Sequence, residues 1–201
     1  MIFFERAKDM PPKVKIQKSD IVNAAVELVR KSGESAVNAR SIAAELHCST
    51  QPVFSNFATM EELRLAVKES ANALYQSYLQ TDMSSGKYPP YKASGMAYIR
   101  FAREERELFK LLFMCDRSGE ILEEDRESVR PLLQMIQKNL GIGEEEAYLF
   151  HLEMWIYVHG IATMIATSYL NWDEAFVSLV LTDAYMGLKN RYTEGREHES
   201  N

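Results

Sequence analysis

Apolar residues recur along this chain at helical spacing almost throughout. Ile21, Ala24, Ala25, Leu28 and Val29 fall three and four apart, which puts them on one face and predicts a helix from about Ser19 to Ser32. Gly33 stands where a left-handed terminating residue is expected. Asn38 is a good cap for a second helix carrying Ile42, Ala43 and Leu46 on one face. A sharp break at His47–Ser49 precedes a short helix ending near Asn56. Thr59 and Glu62 have capping-box spacing and open a fourth helix, which runs through Leu63, Ala66, Val67, Ala71, Leu74, Tyr75 and Tyr78 to about residue 80. After the turn-rich SSGKYPP, five more helices are expected at roughly 91–104, 106–114, 125–140, 144–170 and 173–192. No alternating run is long enough for a strand, so the fold class is all-α.

The last predicted helix differs from the others. Ala175, Phe176, Val177, Leu179, Val180, Leu181, Ala184, Tyr185, Met186 and Leu188 cover most of its circumference, and Ser178, Thr182 and Lys189 leave one narrow polar strip. A helix apolar nearly all round must be covered on more than one side. At the end of a chain of 201 residues this favours packing against a second copy about a two-fold axis, with Phe176, Leu179, Val180 and Tyr185 at the interface.

Residues 38–57, NARSIAAELHCSTQPVFSNF, read as a helix-turn-helix. Ala43 is small where the helices would cross, and Ile42, Leu46, Val53 and Phe57 supply the contacts at the crossing. His47 occupies a turn position often held by Gly, and His tolerates positive φ. Pro52 belongs in a first helical turn, where backbone N–H groups have no intrahelical partner. With Ser49 as cap, Thr50 and Gln51 form the tip, where hydroxyl and amide groups can hydrogen-bond base edges in a major groove.

Charge narrows where nucleic acid could be met. The net charge is −6, yet residues 1–70 carry ten Lys and Arg against nine Asp and Glu. Only the first third is therefore suited to phosphate. Residues 1–17 are expected to form a flexible basic arm with Lys13 and Lys15, and Lys18 follows directly. Residues 18–64 are expected to form the helix-turn-helix domain, and residues 65–201 a helical domain for ligand binding and dimerisation.

The N-terminal stretch resembles the DNA-binding domain of TetR/AcrR-type transcriptional regulators. The resemblance is carried by Ile21, Ala24, Ala25, Leu28, Gly33, Arg40, Ile42, Ala43, Ser49, Val53, Phe54, Phe57 and the run Met60 to Leu63. It implies that Arg40 and Asn56 face phosphates and that Thr50, Gln51 and Ser55 face bases, with Lys18, Asn38, Ser49 and Phe54 completing the surface. Phe54 replaces a usual Tyr and lacks its hydroxyl. Farther on, YIRFAREERELFKLLF and Trp155, His159 and Gly160 resemble a branch of the family with a W-x-x-x-H-G signature.

The remaining chemistry is sparse. Met96, Phe101, Phe113, Met114, Trp155, His159 and Met164 are candidates for lining a ligand cavity, weighed against a plain core. His151 and His159 share a helix face without the further ligands a metal needs, and a satisfied core histidine is the better reading of His159. Glu144, Glu145 and Glu146 fit a helix N-terminus. Cys48 and Cys115 have no metal or disulfide spacing, and neither a nucleophile elbow nor a phosphate loop is present. Residues 154–170 lack Asp, Glu, Lys and Arg, but Glu153 at their edge and the polar residues within favour a buried helix over a membrane span.

Together these readings predict a cytoplasmic, homodimeric, ligand-responsive DNA-binding regulator, a repressor released from its operator by a small molecule. No enzyme activity, cofactor or membrane contact is expected. The alternative is a helical ligand-binding or adaptor protein without specific DNA binding.

Overall fold

The computed structural model of the chain describes residues 16–116 and 126–199. Those residues contain no strand. They form nine α-helices: α1 (Lys18–Ser32), α2 (Ala39–Glu45), α3 (Gln51–Asn56), α4 (Met60–Ser84), α5 (Pro90–Glu104), α6 (Arg106–Phe113), α7 (Arg130–Leu140), α8 (Glu144–Ala166) and α9 (Glu174–Glu199), with one 3₁₀ turn at Glu34–Ala36. The expected basic arm with Lys13 and Lys15, and the start of the helix expected at 125, lie outside the described residues.

Local chemistry sets most helix ends. Gln17 and Asp20 close a box at the start of α1, the Gln17 N–H donating to Asp20 Oδ2 at 2.8 Å. Asn38 Oδ1 accepts from Arg40 N and Ser41 N at 3.1 and 3.0 Å, capping α2. Thr59 Oγ1 accepts from Glu62 N at 3.1 Å, and the Glu62 carboxylate reaches back to Ala58 N at 2.9 Å. The acidic start of α8 is used the same way, Glu146 accepting from Gly143 N at 2.9 Å.

Several helix ends differ from expectation; α4 runs on to Ser84 and α9 to Glu199. Gly33 has positive φ but an extended ψ (78°, 173°), a conformation essentially confined to glycine. An added Cβ would also lie 3.2 Å from Glu107 Oε2 of α6. α8 stops at Ala166, short of the expected residue 170. There Thr167 Oγ1 bonds back to Thr163 O at 2.8 Å and Ser168 takes φ 60°.

One core runs through most of the molecule. Ile21, Ala25 and Val29 of α1, Ile42 of α2, Val53 of α3 and Leu63, Val67 and Ala71 of α4 join Phe101, Phe109, Ile161 and Ile165 in a single buried cluster. A second cluster, with Leu133, Ile136, Phe150 and Met154, closes α7 against α8 and α9. α8 is long and apolar enough to cross a bilayer by length and composition. Here it is a central helix, packed against α5, α6, α7 and α9. The polar strip of α9 faces inward in part: Lys92 Nζ of α5 donates to Ser178 Oγ and Thr182 Oγ1, both at 2.7 Å. Burial pushes the Lys92 ammonium below its ordinary value.

Leu63 and Leu65 provide an internal contrast on α4, the first fully buried and the second 57% exposed. Leu63→Ala is expected to cost about 2–5 kcal/mol in a denaturant titration and Leu65→Ala at most about 0.5 kcal/mol. Equal shifts in the two variants would contradict this packing.

Candidate nucleic-acid interface

The helix-turn-helix forms around the residues that its sequence pattern singles out. Ile42, Val53 and Phe57 are buried at the crossing of α2 and α3, with Ala43 beside them. His47 takes φ 51°, the positive value expected of it. The turn is tied by Cys48 N donating to Ala43 O at 2.9 Å and His47 N to Ala44 O at 3.1 Å.

The register of α3 shifts by one residue from expectation. Thr50, not Ser49, is the residue before the helix, and its side chain makes no capping bond. Gln51 is the first helical residue and Pro52 the second. Both Ser49 and Thr50 are competent caps, so the sequence left a near tie. The tip is nevertheless open: Ser49, Gln51, Phe54 and Ser55 are exposed, and Thr50 is half-buried.

Several expected contact residues already have intramolecular work. Asn38 spends its side chain on the α2 cap and on Ala36 O. Asn56 Nδ2 donates to Pro52 O at 2.8 Å, and Ser55 Oγ to Gln51 O at 2.9 Å. Lys18 Nζ lies 2.9 Å from Glu62 Oε1 and 4.6 Å from the centre of the Phe57 ring. The Glu62 carboxyl is held below its ordinary value by Lys18 and by the Ala58 N–H. That interaction favours folding above the unfolded carboxyl pKa and is lost as pH falls through the depressed one. Arg40 is exposed at the start of α2.

The candidates farther along the chain divide into three groups. Phe101, Phe113, His159 and Trp155 come together in one aromatic cluster. Trp155 stacks on His159 with centroids 4.7 Å apart, and the Tyr98 hydroxyl is 2.9 Å from His159 Nδ1. Met96 is buried on another side of α5, where it lines a cleft of about 210 Å³ with Ile99, Arg100, Arg103 and Val177. Met114 and Met164 are each 40% exposed at the surface. Sequence reasoning passed over Tyr75, Tyr98 and Phe109, which bind the cluster together. Their signal was present in the Phe109–Phe113 spacing of one helical turn and in the tyrosines of the α4 stripe. Burial pushes the Tyr75 hydroxyl up. His151 pairs likewise with the Tyr91 hydroxyl at 3.2 Å, so both histidines face α5. No group of three potential metal ligands occurs among the described residues.

Of the expected interface residues, Phe176 and Leu179 are exposed and Val180 is half-buried on α9. Tyr185 turns inward instead, packing against Phe150 and Tyr91 at centroid distances of 5.4 and 6.2 Å. On α8, Leu149, Ile156 and Tyr157 are likewise 50%, 65% and 49% exposed. Gly160 lies one turn beyond Ile156, with open space where a Cβ would stand.

Residues 91–182 match the model of the tetracyclin repressor-like C-terminal domain. No curated protein matches the chain. Among solved structures, the multidrug binding protein EbrR complexed with imidazole is similar over 90% of this chain and 97% of its own, at TM-score 0.53 and 17% identity, a likeness of fold. The comparisons thus show a tetracyclin repressor-like C-terminal domain over residues 91–182 and an all-helical fold like that of EbrR.

Proposed function

We propose that this protein is a homodimeric transcriptional repressor, cytoplasmic, that leaves its DNA operator when a small molecule binds the C-terminal helices. The observation that carries this reading is α3 itself. It is a short, uncharged helix held rigidly at the crossing by Val53 and Phe57 while Gln51, Phe54 and Ser55 stay exposed. Such a helix can enter a major groove and read base edges. Arg40 supplies a phosphate contact, and Lys18 contributes only on leaving Glu62.

The exposed apolar residues of α8 and α9 support the dimer. A second copy would cover Ile156, Leu179 and their neighbours about a two-fold axis. The two α3 helices would then match half-sites about 34 Å apart or a multiple of that. The aromatic cluster around Tyr98 and His159 is the proposed effector region, and EbrR, a multidrug binding protein of the same fold, supports a small-molecule role. An effector shifts operator affinity only as far as it discriminates between the two half-site spacings.

Selection of bound sequences from random duplex DNA is expected to enrich a palindrome. Thr50→Ala with Gln51→Ala should relax sequence preference with the fold intact, whereas Arg40→Ala should weaken binding to all sequences and reduce the salt slope by about 1. Absence of enrichment, with no salt-dependent DNA binding, would instead favour an adaptor or ligand-binding protein. Sedimentation should give the mass of a dimer for the wild type and of a monomer for Ile156→Glu with Leu179→Glu. A monomeric wild type would remove the two-fold model.

A further inference from the structure

Phe54 is the one large apolar side chain exposed on α3, at 59%. It stands one turn from Thr50 and Gln51, on the same side of the helix. The surrounding polar groups are largely committed. The Ser55 hydroxyl hydrogen is used on Gln51 O and the Asn56 amide on Pro52 O. That leaves Ser49, Thr50 and Gln51 as side-chain donors at the helix tip, which carries no charge of its own. A protein gains nothing in solution from holding a phenylalanine ring in water at this position.

Resting on the DNA-binding reading above, we infer that Phe54 is a specificity-determining residue that packs against the methyl group of a thymine in the major groove. Thymine alone among the four bases presents a methyl group there, and apolar side chains contact it directly. The ring lacks a hydroxyl, so it cannot hydrogen-bond a phosphate. Its contact is with the apolar part of a base edge, beside whichever base Gln51 reads. Each half-site therefore contains a thymine that is recognised through its methyl group, in addition to hydrogen-bonded positions.

Deoxyuridine removes that methyl group and leaves every hydrogen-bonding atom of the base in place. The probe is the duplex selected from random DNA by the wild-type protein, with each thymine replaced in turn by deoxyuridine. One position per half-site should weaken wild-type binding about fourfold, the value of one buried methyl-sized group. The same replacement should leave binding unchanged in Phe54→Ala, and in Phe54→Gln should Phe54→Ala fold poorly. Phe54→Tyr, which keeps the ring, should retain the methyl dependence. Specific binding with no methyl-sensitive position, or sensitivity that survives in Phe54→Ala, would overturn the inference and leave the DNA-binding reading standing. Loss of binding to all sequences alike in Phe54→Ala, with a lower salt slope, would place Phe54 against the backbone and also overturn it. Failure of the wild type to select any sequence would remove both together.

Discussion

The buried stripe of α4 is the constraint on which the rest of the structure depends. Leu63, Val67 and Ala71 are almost wholly inaccessible, and they pack into the same cluster as α1, α2 and α3 on one side and α5 and α6 on the other. The helix-turn-helix therefore has no separate core. The position of α3 is set by a packing arrangement that includes Phe101 and Phe109. Close-packed interiors move between discrete arrangements and do not deform continuously. A change among the aromatic rings of the C-terminal helices can accordingly be felt at the tip of α3 without any flexible joint.

Polar ties reinforce that packing at specific places. Arg30 of α1 donates through Nε and Nη2 to both oxygens of Glu105, each at 2.8 Å, and it also contacts Glu27. A bidentate pair fixes orientation as well as distance. Glu105 is the residue at the break between α5 and α6, so the break is tied to the N-terminal helices. Arg106 next to it reaches Ser168 Oγ at 2.8 Å, in the link between α8 and α9. α1 and the link between α8 and α9 are thus both tied to one short segment of backbone.

Much of this fold was legible in the sequence, because helical periodicity and caps are local signals. The stripe of α1, the cap at Asn38, the positive φ of His47 and the Thr59–Glu62 box all follow from residues within one or two turns. Errors arose where neighbouring residues were chemically equivalent, as with Ser49 and Thr50, or where a threonine bonded back to its own helix, as at Thr167. The site was less legible. Tyr98 and His159 are 61 residues apart, and no spacing rule pairs them. Tyr185 looked like any other apolar residue of α9, and only the placement of Phe150 and Tyr91 turns it inward. Asn38, Ser55 and Asn56 are surface polar residues by pattern, and their intramolecular bonds depend on a backbone the sequence does not spell out.

A shared core makes the helix-turn-helix and the C-terminal helices one cooperative unit. Native-state hydrogen exchange in Phe101→Ala tests this directly, because Phe101 is fully buried among the C-terminal helices and touches none of the proposed DNA surface. Amides of α1, α2 and α3 should lose protection together with those of α5 and α8. Undiminished protection in α1 to α3, alongside loss in α5 and α8, would show that α3 is positioned independently and would contradict the account.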